Sequence, residues 1–158
     1  MSAWVRWLQP VTPITAVQPD VLALQGLDWD LDLLALKAFE RRLALAGAPY
    51  PHLFAPQPNS GLASGLDLDG DGKAGGPGDA QGYGRFTGQG GMALLSRLPI
   101  RPGGVHDFSQ LLWRDLPGAL LPETADGKPF LSAEALAAQR LSSTGHWIVP
   151  LELPGGGQ

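Results

Sequence analysis

Apolar residues in this chain fall into short runs and spaced sets, separated by a long stretch with neither. Val21 to Leu24 is a run of four after Gln18-Pro19-Asp20. The proline biases the residue before it away from helix, so a buried strand starting near Val21 is predicted. Leu36, Phe39, Leu43 and Ala46 then recur at helical spacing with Lys37, Glu40 and Arg41 elsewhere, the pattern of an amphipathic helix. Asp28, Asp30 and Asp32 stand ahead of it as acidic caps, and Gly47 is its expected stop. Tyr50 to Ala55 reads as a second strand that Pro51 restricts to an edge or an irregular start, and Met92 to Leu95 as a third, buried strand ended by Ser96-Arg97 and Pro99. The pattern predicts strand, helix, strand, long loop, strand.

Past Pro99 the signals weaken. Asp107 to Trp113 is ambiguous between element types. Leu131-Ser132 opens a short helix, with Ser132 as N-cap, Glu134 in the first turn and Leu131 placed to staple against Leu136. Trp147 to Val149 is a further strand candidate, and Pro154 to Gly157 reads as a turn or frayed end. No internal repeat is present. Between the second and third strands, twelve of the 31 residues from Gly61 to Gly91 are glycine, with four aspartates among them, so no regular element is expected to persist there. A loop longer than about 15 residues inside a compact domain is usually functional or disordered.

Composition narrows the picture. At 158 residues the chain is long enough for a single domain that buries about 70% of its unfolded surface. Gly 22 and Pro 15 demand abundant loops, yet 44% hydrophobic against 16% charged residues excludes intrinsic disorder, because such a chain buries enough apolar area to offset ordering entropy. Eleven basic against fifteen acidic residues give a net charge of -4. Arg41-Arg42 is the longest basic cluster, which excludes the electrostatic footprint of nonspecific nucleic-acid binding. The absence of cysteine excludes disulfides, thiolate metal sites and cysteine nucleophiles. No apolar run approaches the roughly 18 residues of a membrane-spanning helix. Met1 to Pro10 carries two tryptophans and an early proline in place of a signal peptide's apolar stretch, and localisation stays open.

The sharpest chemical signal is Asp67-Leu68-Asp69-Gly70-Asp71-Gly72. Carboxylates at alternate positions converge on one hard cation and Gly72 allows the sharp turn, as in the first half of a calcium loop. The second half fails: position 12 is Gly78, and Asp79 follows by one residue. Asp67, Asp69, Asp71 and Asp79 are therefore the candidate metal ligands, with a solvated acidic turn as the alternative. His52, His106 and His146 lie too far apart in sequence for a short-spaced zinc pattern. His146, after Ser142-Ser143-Thr144-Gly145, is a candidate phosphate contact, although those residues are also ordinary turn formers. Asp28 and Asp30 are candidate paired carboxylates, although acids ahead of a helix are mostly caps. The glycines from Gly82 to Gly91 lack the lysine and the preceding strand of a P-loop.

Several strings together, Pro58-Asn59-Ser60-Gly61, Gly65 to Gly72, Pro77 to Gly84 and Gly88 to Ile100, resemble a bacterial branch of the endonuclease/exonuclease/phosphatase family, in the DNase I-like superfamily. Gln18 to Leu24, Leu112 to Ala119, Arg140 to Ser143 and His146-Trp147 resemble the same branch, so the likeness spans roughly residues 16 to 153. The resemblance implies part of a four-layer α/β (α+β) sandwich with mixed sheets and outer helices, and magnesium-dependent hydrolysis of a phosphoester in which metal-activated water attacks phosphorus. Two departures stand out. The family's metal-binding glutamate matches Gly26, which has no side chain to offer. The family's catalytic histidine, its aspartate–asparagine pair and its closing aspartate–histidine motif would lie beyond Gln158, and its opening strand has no clear counterpart in Met1 to Ile14. The expectation is thus an incomplete member of the family with little or no hydrolytic activity of its own. An alternative is a non-catalytic calcium-binding or interaction module built on the Asp67–Asp79 loop. The open apolar face of an incomplete sandwich also predicts self-association or a second polypeptide that completes it. Relatives in this branch are often exported, and nothing in Met1 to Pro10 marks this chain for export.

Overall fold

A computed structural model describes residues 11–155. The readings of Met1 to Pro10, and of the last residues of the terminal glycine turn, lie outside the described residues. The chain runs α1 (Val11–Val17), β1 (Val21–Leu27), α2 (Leu34–Leu45), β2 (His52–Phe54), β3 (Gly91–Ser96), β4 (His106–Asp107), α3 (Ala133–Ala138) and β5 (Trp147–Ile148). Single 3₁₀ turns occupy Pro77–Asp79, Pro102–Gly104 and Trp113–Asp115.

The predicted elements form where the apolar pattern placed them. β3 is the middle strand of an antiparallel sheet ordered β1-β3-β2, with Leu22 opposite Leu95 and Leu53 opposite the same residue on the other side. β2 is an edge strand, as Pro51 requires. Leu36, Phe39 and Leu43, one stripe of α2, are buried with Leu27, Ala48, Tyr50, Ala93 and Leu95 in one core. α2 starts where Asp30 takes the N–H groups of Leu34 at 2.7 Å and Ala35 at 3.1 Å. It ends in a Schellman motif: Gly47, at φ +84°, donates to Ala44, and Ala48 donates to Leu43. Ser132 caps α3 by accepting from Ala135 N–H at 3.1 Å. The ambiguous stretch after Val105 contributes β4, which pairs antiparallel with β5.

The differences have physical reasons. β1 extends to Leu27 because a bulge between Gln25 and Leu27 lets pairing with Gly91 resume. α1 has no counterpart in the sequence reading. Pro13 falls in its first turn, where a missing N–H costs nothing. The β4–β5 ladder joins the main sheet through Phe54, whose ring meets Trp147 edge-on at 5.3 Å between centroids.

Leu43 has no exposed surface, whereas its neighbour Leu45 is 84% exposed. Leu43→Ala is expected to lower unfolding free energy by about 2–5 kcal/mol, and Leu45→Ala by less than about 0.5 kcal/mol, as read from urea denaturation.

Candidate functional site

The glycine-rich segment is a long loop held at both ends rather than a floppy one. Asn59 is 1% exposed. Its Nδ2 donates to the carbonyls of Ser109 at 2.7 Å and Ser142 at 2.6 Å, and its Oδ1 accepts from Arg140 Nη1 at 2.6 Å. Its backbone N–H donates to Thr144, and its carbonyl accepts from Leu62 and Gly82. Gln81 repeats the device: Nε2 donates to Ala138 and Oε1 accepts from Arg140 N–H. Gly82 lies so close to the Ser143 carbonyl that a Cβ there would overlap it. At the far end, Trp29 N–H donates to Gly88, and Gly90 N–H donates to Asp28 Oδ1, both at 2.8 Å.

The aspartates sit on the outer part of this loop. Asp67, Asp69 and Asp71 each present a carboxylate oxygen, all within 4.8 Å of one another, and all three residues are exposed. The turn arranges them through its own backbone: Asp67 accepts from Gly70 and Gly72 at 2.7 and 2.8 Å, Asp69 from Asp71 at 3.2 Å, and Asp71 from Lys73 at 2.8 Å. Gly72 takes φ +84°, the left-handed turn expected of it. Asp79 does not join them. It is 3% exposed, and its oxygens accept from Leu68 N–H at 2.8 Å and Gly76 N–H at 2.7 Å. Those two bonds, Leu68's first, hold its carboxyl below the usual carboxylate range against the opposing effect of burial. Asp79 thus closes the turn from inside while three carboxylates face outward. An open cleft of about 360 Å³ beside it is lined by Ser64, Asp79 and Arg85 among glycines, but by none of the three.

The other sequence candidates are dispersed. Asp30 caps α2, and the N–H of Leu34, then that of Ala35, hold its carboxyl below the usual range. Asp28 is exposed and accepts from Gly90 N–H. Gly26, which the family resemblance aligns with a metal-binding glutamate, sits at the β1 bulge with φ +75° and open space around it. A side chain has room there but meets about 1–2 kcal/mol of backbone strain. His146 is exposed and its ring lies against Phe108 at 5.4 Å, while its backbone N–H donates to Ser109 Oγ. His106 stacks on the same Phe108 ring at 6.2 Å, and His52 lies in edge strand β2. No histidine belongs to the acidic cluster.

The residues that sequence reasoning missed are Asn59, Gln81, Ser109 and Arg140, which position the loop. Their only trace was that Asn59, Gln81 and Arg140 fall inside the strings that carried the family resemblance. Asn59→Ala is expected to cost on the order of 3 kcal/mol by orphaning the Arg140 guanidinium and two carbonyls, measured by chemical denaturation. Because the folded Asp79 titrates below its unfolded value, its stabilising effect is complete above the unfolded carboxylate range and is lost as pH falls through the lower folded value. Stability should therefore drop below about pH 4. In Asp79→Asn that acid-side slope should flatten, leaving the parts due to Asp30 and Asp126.

No curated protein and no solved structure matches the chain. The model of the Endonuclease/Exonuclease/phosphatase family matches residues 3–154. The α+β fold of antiparallel sheets and few helices agrees with that match. With almost its whole length inside the match, the chain belongs to the endonuclease/exonuclease/phosphatase family of nuclease- and phosphatase-like phosphoester hydrolases.

Proposed function

We propose that this family member binds a divalent cation at the Asp67–Asp71 turn and hydrolyses phosphoesters weakly or not at all by itself. The observation that carries the reading is the convergence of three carboxylates on a turn already organised by its own N–H groups. Each carboxylate keeps lone pairs beyond those used within the turn, and an all-oxygen donor set suits calcium or magnesium. The donor chemistry therefore fits a hard cation at this turn, where the ion would neutralise the mutual repulsion of the three carboxylates.

The family's catalytic metal is a different matter. Gly26 stands where its glutamate would be and supplies no oxygen, and Asp28 nearby has one carboxylate oxygen committed to Gly90. The residues at this position do not fit that metal. The chain's own groups do three things here: Asn59 and Gln81 fix the loop, Asp79 closes the turn, and Asp67, Asp69 and Asp71 present charge. A cation-binding or interaction module built on this loop is the alternative reading.

Titration calorimetry with calcium chloride and magnesium chloride tests the site. An affinity of about 10⁻⁴–10⁻³ M is expected, typical of open extracellular calcium modules, and Asp69→Asn should weaken it about tenfold or more. Absence of heat at millimolar cation would remove the site. Incubation of the pure chain with bis(p-nitrophenyl) phosphate and magnesium should give no release above buffer, and sustained turnover would overturn the assignment of weak activity.

A further inference from the structure

Three aspartates in the chain are followed directly by glycine: Asp69-Gly70, Asp71-Gly72 and Asp126-Gly127. All six residues are exposed. Each pair sets a carboxyl group beside a backbone nitrogen, and glycine, lacking a Cβ, leaves that nitrogen unobstructed. In such a pair the glycine nitrogen can form a bond to the aspartate Cγ. The carboxyl, in its protonated form, then loses its hydroxyl together with the nitrogen's proton as water, and a cyclic succinimide remains. Water opens either carbonyl of that ring, giving back aspartate or leaving isoaspartate, in which the main chain runs through Cγ. For the first bond to form, the N–H must leave its hydrogen bond and the carboxyl must leave its partners, so the structure ranks the three pairs.

Asp126 is the most restrained. Both its oxygens are held, by Lys128 Nζ at 2.7 Å and Thr124 Oγ1 at 2.7 Å, and Gly127 N–H donates to the Thr124 carbonyl at 2.9 Å. Asp71 accepts from Lys73 N–H at 2.8 Å. Asp69 is held most loosely, by the Asp71 N–H at 3.2 Å. The attacking nitrogens of both pairs in the acidic turn are restrained by one side chain, since Asp67 accepts from Gly70 at 2.7 Å and from Gly72 at 2.8 Å. We propose that Asp69-Gly70 is a site of isoaspartate formation whose rate is set by the grip of Asp67 on the Gly70 nitrogen. Isoaspartate there adds a methylene to the main chain and leaves the carboxylate on Cα, so the alternate spacing of Asp67, Asp69 and Asp71 is lost. The modification acts as a slow covalent clock on the acidic turn. Its chemistry needs water alone and no bound ion.

The test is incubation of the full 158-residue chain in chelator at physiological temperature over weeks, with isoaspartate located by electron-transfer fragmentation of its peptides. Isoaspartate should accumulate at Asp69 ahead of Asp71, with Asp126 slowest. Asp67→Ala frees both nitrogens and should raise the rate at Asp69 and Asp71 about fivefold, the equivalent of about one net hydrogen bond, with Asp126 unchanged. Asp67→Asn keeps a single acceptor oxygen and should release one of the two pairs. Lys128→Gln should speed the reaction at Asp126 and leave Asp69 as it was, which checks the same rule at a second place whatever the Asp67 variants do to the turn. Equal accumulation at the three pairs overturns the proposal, as does absence of isoaspartate at Asp69. A rate at Asp69 that Asp67→Ala leaves unchanged, or a rise that Asp126 shares, likewise overturns it. Since none of these readouts involves hydrolysis or a cation, the outcome leaves the functional reading untouched.

Discussion

The side-chain amide of Asn59 is the interaction on which the rest of the loop architecture depends. It is buried, and every hydrogen-bonding atom it has is used: two donations to carbonyls fifty and more residues away and one acceptance from Arg140. A buried polar group is costly only when unmet, so a fully met one is a specific fastener. Gln81 adds a second fastening to the α3 end and the Arg140 backbone. A segment so rich in glycine loses much backbone entropy on ordering, and these long-range bonds are what offsets it.

The other end of the loop is tied to the sheet. Trp29 anchors by its indole N–H on Ala55 at 2.9 Å and by its backbone N–H on Gly88, while Asp28 accepts from Gly90. β1 therefore carries the loop into β3 directly, and the core under α2 is connected to the loop by covalent and hydrogen-bonded paths. The acidic turn lies between two fixed ends. Its carboxylates are held near one another in advance, which lowers the ordering cost of binding a cation. Asp79 shows why four sequence candidates became three: a carboxylate that accepts two backbone N–H groups in a buried place serves the turn itself.

Gly26 is a structural feature of β1 in its own right. The position lies on the strand that forms the sheet, and the strand forms without a side chain there; the bulge uses the glycine's left-handed backbone.

What the sequence determined by itself is what depends on neighbours a few residues apart. The stripe of Leu36, Phe39 and Leu43, the stop at Gly47, the cap at Ser132, the edge character imposed by Pro51 and the Asp67–Gly72 turn all follow from local hydrogen bonds and periodicity, and all were legible. Tertiary structure alone decided that Asp79 turns inward, that Asp28 secures a loop, that His146 rests on Phe108, and that Asn59, Ser109, Gln81 and Arg140 meet. Those contacts join residues from about a dozen to more than eighty positions apart. No periodicity encodes them, because the burial that makes each bond strong exists only after the chain has folded around it.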